Sequence, residues 1–145
     1  MVLLRWLDRA DGGFVTAIGD VTLDTEITHD GNGALRIDAT RPLVVPLYEI
    51  ADPDVEETRL RYEAYLRAQD LEGRAYLEMW CVFDVRGEYF SRGLTDPLSG
   101  SVDWTHREVP FCLEAGQTPD RLKLNLVVEG RGTVWIDDIV VSRTP

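Results

Sequence analysis

Lysine is nearly absent from this chain of 145 residues: Lys123 is the single ε-amine, and arginine supplies the rest of the 15 basic side chains. Against them stand 26 acids, for a formal charge of −11. Binding to a phosphate backbone requires a basic stripe, and none exists, so nucleic-acid partners are excluded. An acidic surface fits anionic membranes just as poorly. Long apolar runs are lacking as well. The opening MVLLRWLDRADGG reaches Arg5 and Asp8 after a few apolar residues, too short for a signal-peptide core or a membrane span. As written, the chain is expected in the cytoplasm, and outside the cell only if it was trimmed from a longer secreted precursor. Cysteine is limited to Cys81 and Cys112, without metal-site spacing. Two reduced thiols agree with that location.

Catalytic signatures are missing too. There is no glycine-rich phosphate loop, no HExxH and no Gly-x-Ser-x-Gly elbow. His29 and His106 stand alone, with no i,i+4 partner and no nearby cysteine, which argues against a transition-metal site. Carboxylates are so numerous that two on one face are expected by chance. A glycosidase pair therefore cannot be read from counting, because that chemistry depends on a separation across a cleft. The expectation is a protein that is not an enzyme.

What the chain does contain is alternation. The length and the 44% apolar share suit a single domain spanning residues 1–145. Short strands are expected over Val2 to Leu7, Phe14 to Ile18, Val21 to Ile27 and Ala34 to Ile37, with Asp-Gly and Asn-Gly turn dipeptides at Asp30 to Gly33. Pro42 and Pro46 flank Leu43-Val44-Val45 and mark an edge strand. Residues 52–71 carry both helical and alternating patterns. Strand is preferred for 56–70, because every neighbour is β. After a turn at Gly73, Ala75, Leu77, Met79, Cys81 and Phe83 face inward, which turns Tyr76, Glu78 and Trp80 outward. Cys112 is expected to face outward, away from Cys81, without a disulfide. The run LKLNLVVEGRGTVWIDDIVV, Leu122 to Val141, reads as a hairpin turning at Gly130-Arg131-Gly132, with Asp137-Asp138 set in its second strand. Some ten short strands without βα alternation predict an all-β fold, a jelly-roll β-sandwich of two antiparallel sheets.

Four segments occur in a telling order: Asp30-Gly31-Asn32-Gly33-Ala34-Leu35 with Ile37, Tyr62-x-Ala64-x-Leu66-Arg67, Gly100-Ser101-x-Asp103-Trp104 and the terminal GTVWIDDIVV. Over about Asp30 to Ser142 the chain resembles the galactose-binding-like jelly rolls, the fold of many carbohydrate-binding modules attached to glycosidases. That resemblance implies a structural calcium ion at Asp137, with Asp30 and Asn32 as loop ligands. The family's further acid usually follows an aromatic residue, whereas here Val15 follows Phe14.

The resemblance also places the two strands after Gly73 and after Arg121 in one sheet, whose outer concave face binds ligands in many family members. A sugar face needs rings to stack on C–H surfaces and planar polar groups for vicinal hydroxyls. Tyr76, Trp80, Glu78 and Asn125 are of those types, with Lys123, Tyr89 and Arg92 as rim residues. The expected function is a non-catalytic module binding an oligosaccharide. The competing expectation is a protein-interaction or homo-oligomer face, since a second subunit covers an exposed tryptophan equally well. Trp6, Trp104 and Trp135 read as packing residues.

Overall fold

The computed structural model describes residues 2–5, 21–29 and 33–144. Every element among them is a strand: β1 (Val2–Arg5), β2 (Val21–Asp24), β3 (Ala34–Ala39), β4 (Leu43–Ala51), β5 (Arg59–Phe83), β6 (Gly87–Arg92), β7 (Leu98–Cys112) and β8 (Arg121–Thr144). The expected strand at Phe14 to Ile18, together with Trp6, Asp30 and Asn32, lies outside the described residues. All pairings are antiparallel.

β5 and β8 organise the rest. They pair along almost their whole length, from Arg59 against Thr144 to Val82 against Arg121. The expected hairpin at Gly130-Arg131-Gly132 is therefore not a turn. Gly130 pairs with Gly73, Arg131 with Glu72, and β8 passes straight through. The expected turn at Gly73 is likewise a bend within β5, and β7 runs unbroken through Gly100-Ser101. Among the described residues there are eight strands, two of them 25 and 24 residues long where shorter ones were expected.

The bend divides the ladder into two layers. One contains β2, β3, the distal half of β8, the proximal half of β5 and β7. The other contains β4, the proximal half of β8, the distal half of β5 and β6. Leu60, Tyr62, Ala64 and Leu66 from one half of β5 join Leu77, Met79, Cys81 and Phe83 from the other in a single buried cluster. Two apolar faces that close on each other in this way make a sandwich. Burial contributes about 1.5–3 kcal/mol for each large core side chain.

The inward set on β5 is even-numbered before the bend and odd-numbered after it. A two-residue side-chain period permits this only if the backbone slips, and the pairing is irregular between Gln69 and Glu72. Propensity alone favours a helix over 59–71, but Leu60, Tyr62, Ala64 and Leu66 bury one strand face instead. Both prolines fall where a missing N–H is tolerated: Pro46 sits at an irregularity in β4, and Pro110 lies on β7, which pairs with β5 alone. Cys81 is buried and Cys112 exposed, both as free thiols.

Candidate functional site

The four strands of the second layer line up their outward side chains in rows. Pro46, Asn125, Glu78 and Arg92 stand opposite one another across β4, β8, β5 and β6. One row toward the bend come Val44, Val127 and Tyr76, and one row away come Glu49, Lys123, Trp80 and Phe90. Strand alternation puts these residues on one face, and register puts them side by side.

Glu78 is the hub. Its Oε1 accepts from Trp80 Nε1 at 2.7 Å and from Asn125 Nδ2 at 2.8 Å, while Oε2 accepts from Arg92 Nε at 2.7 Å. The residue is only 4% exposed. Burial pushes its carboxyl up, but the bonds from Asn125, Arg92 and Trp80 together outweigh burial and hold it below the ordinary glutamate value. An ionised Glu78 accepts only, which fixes the Asn125 amide with its NH₂ toward the carboxylate. Arg92 is held from its other side by ring contact, its Cζ lying 4.0 Å from the Phe90 centroid. Trp80 and Phe90 rest against each other with centroids 5.0 Å apart.

A second acid closes the other end. Glu129 accepts from Arg74 Nε at 2.7 Å and from the Tyr76 hydroxyl at 3.0 Å. The Arg74 bond is the chief reason that the Glu129 carboxyl sits below its usual value. Burial, and then the Glu129 bond, raises the Tyr76 phenol. Between the two acids lies an open cleft of about 470 Å³, walled by Tyr76, Glu78, Arg92 and Glu129 and floored in part by Leu43, Val44 and Val127.

Five of the expected residues therefore meet: Tyr76, Glu78, Trp80, Arg92 and Asn125. Lys123 stands at the end of the group, with its Nζ 3.1 Å from Glu88 Oε1. Tyr89 does not join them. It pairs with Cys81, shares the face of that inward residue and packs edge-on against Phe83. Phe90 takes its place on the outward face. Sequence reasoning also missed Arg74 and Glu129, because a turn at Gly130 would have separated them. The alternation with Arg92 was the available signal for Phe90.

The paired acid Asp137-Asp138 forms a bulge in β8. Register shifts between Glu63 and Tyr65 on the partner strand, and Asp138 has a φ of 53°. Asp137 is fully buried. Its Oδ2 accepts from the His29 amide at 2.9 Å and its Oδ1 from the Asp138 amide at 2.8 Å, while Asp138 pairs with the His29 ring. This carboxylate anchors the segment after β2 onto β8 and already accepts an amide on each oxygen. Of the three residues expected to hold calcium, Asp137 is the one that falls among the described residues. Nearby, Trp135 is 1% exposed, donates its indole N–H to Asp24 and lies between the guanidiniums of Arg36 and Arg67, each 5.4 Å from its ring centroid.

No family model matches the chain, and no curated protein matches it significantly. Solved structures do. The CBM22-1–GH10 portion of an endo-1,4-β-D-xylanase from Clostridium thermocellum, in complex with xylohexaose, superposes with a TM-score of 0.68 at 11% identity. The match covers 92% of this chain and 26% of that one, so the chain spans about a quarter of that protein. The CBM22-1 xylan-binding domain of Paenibacillus barcinonensis Xyn10C gives 0.62 at 12% identity, over 99% of this chain and 94% of the other. A family 61 carbohydrate-binding module in complex with β-1,4-galactotriose gives 0.58 at 18%, over 90% and 86%. The chain has the β-sandwich fold of carbohydrate-binding modules.

Proposed function

We propose that this protein is a non-catalytic carbohydrate-binding module that holds glycan chains on the outer face of the β4–β8–β5–β6 layer. One observation carries the reading: Glu78 fixes Trp80, Asn125 and Arg92 in one hydrogen-bonded group, and Glu78 and Arg92 line an open cleft together with Tyr76. Sugar rings present C–H faces to aromatic rings and hydroxyl pairs to planar polar groups, and this arrangement supplies both without rearrangement. The fold shared with modules solved in complex with xylohexaose and galactotriose supports the same reading.

The two cleft carboxylates suit binding better than hydrolysis. A glycosidase needs one acid kept protonated near neutral pH. Glu78 and Glu129 are both held in the ionised form. A calcium ion at Asp137 belongs to the same reading as a structural accessory. It would share the carboxylate with the His29 and Asp138 amides, and Asp30 and Asn32 are the loop residues to examine with it.

Titration with oligosaccharides while following tryptophan fluorescence tests the proposal. A saturable change that disappears in Trp80→Ala supports it. Silence from every glycan, with nothing lost in Trp80→Ala, rejects it in favour of a protein-contact face. Half-exposed Phe90, on that same outward face of β6, is the observation that favours that second reading.

A further inference from the structure

From the charge arrangement of the cleft we infer that the face selects uncharged glycans and discriminates against uronate-bearing ones. The inference rests on the glycan-binding reading above and adds a ligand class to it. Four charged groups belong to the cleft and its supports. Arg92 and Arg74 carry the positive charge, Glu78 and Glu129 the negative. They cancel within the site, on a chain whose formal charge is −11.

Arg92 decides the matter. A guanidinium with a free edge ordinarily invites a carboxylate. Here its Nε edge already holds a buried carboxylate at 2.7 Å, and Glu129 lines the same cleft from across it. A uronate on the remaining edge would place two acids on one cation, with a third nearby, and like charges at such range repel. A neutral hydroxyl meets no such opposition. The η nitrogens of Arg92 make no hydrogen bond among the described residues, so their N–H groups can donate to a sugar oxygen. The ionised Glu129 supplies acceptor capacity at the opposite wall.

Three β-1,4-linked hexamers separate charge from shape: xylohexaose, cellohexaose and a glucuronate hexamer. They share one linkage and carry hydrogen, hydroxymethyl and carboxylate at C5. Calorimetric titration at low ionic strength is expected to give binding for a neutral hexamer and at least about tenfold weaker binding for the glucuronate chain. The gap should narrow as salt rises from about 20 mM to about 0.5 M, because screening weakens repulsion and leaves shape untouched. Glu129→Gln should narrow it as well, since the amide keeps an acceptor for Tyr76 while removing one negative charge. Glucuronate binding as tight as the neutral chains overturns the charge rule and leaves the face a glycan site. A gap that ignores both salt and Glu129→Gln also overturns it, assigning the discrimination to shape. No binding by any of the three overturns this inference, and the glycan reading falls with it only when every other glycan is silent as well.

Discussion

Gly73 and Gly130 lie directly opposite each other in the β5–β8 ladder, so close that neither tolerates a side chain. A Cβ on Gly130 would sit 1.7 Å from the Glu72 carbonyl oxygen, and one on Gly73 2.1 Å from that of Glu129. The contacts are backbone, which cannot swing aside. This close approach lets two long strands fold over together, and it brings Arg74 level with Glu129 beside the cleft.

Gly130→Ala should therefore lower stability by about 3 kcal/mol or more. Gly100→Ala is the control, because Gly100 has a φ of 72° with nothing within 4 Å of its Cβ position. That substitution bears only the left-handed conformation, about 1 kcal/mol. Urea denaturation of the pair separates crowding from conformation. Equal losses would refute the close-approach account.

A double-mutant cycle on Glu78 and Arg92 should give a coupling of about 1.5 kcal/mol or more, since truncating Arg92 leaves the buried Glu78 carboxylate without its charged partner. The same cycle on Lys123 and Glu88, whose side chains are 35% and 48% exposed, should stay below about 0.5 kcal/mol. Similar values for both pairs would remove Glu78 from its central place.

Stability should fall at both ends of the pH scale. Glu78 and Glu129 have folded values below the 4.5 of an unfolded glutamate. Their contribution is present above 4.5 and is lost as pH falls through the folded values. Cys81 works in the opposite direction. Burial pushes its thiol from 9.0 to about 12, so its contribution is complete below pH 9 and declines as pH rises from there. Chemical denaturation across pH 3–11 should show a plateau bounded by these two flanks. Glycan affinity should decline along the acid flank too, as protonation withdraws an acceptor from Trp80, Asn125 and Arg92.

Asp137→Ala should cost about 2–3 kcal/mol even in buffer containing a calcium chelator, because the amides of His29 and Asp138 lose their acceptor whether or not an ion is bound. Hydrogen exchange should speed up first at His29. A variant that is as stable as the parent in chelator would refute the anchoring role.

Much of this site was readable because a strand has a side-chain period of two. Leu77 and Met79 pointing inward left Glu78 and Trp80 outward, and Leu124 and Leu126 did the same for Asn125. Tyr89 falls on the face opposite Trp80, which was not legible because alternation assigns two faces without saying which face is which. That depends on the offset of β6 against β5, set by the turn at 84–86. Gly130 and Gly132 misled for a related reason: glycine marks turns and close approaches alike, and only the partner strand distinguishes them. Arg74 and Glu129 could be joined only after that pairing was known.

The β5–β8 ladder also sets when the chain can fold during synthesis. Arg59 pairs with Thr144, and every residue of the central ladder waits for a partner at least 39 positions downstream, the separation of Val82 from Arg121. Little of the core can form while β8 is still inside the ribosome, so the apolar faces of β3, β4 and β5 emerge without their cover. For a protein so rich in acids, charge repulsion between nascent chains is the protection available during that interval.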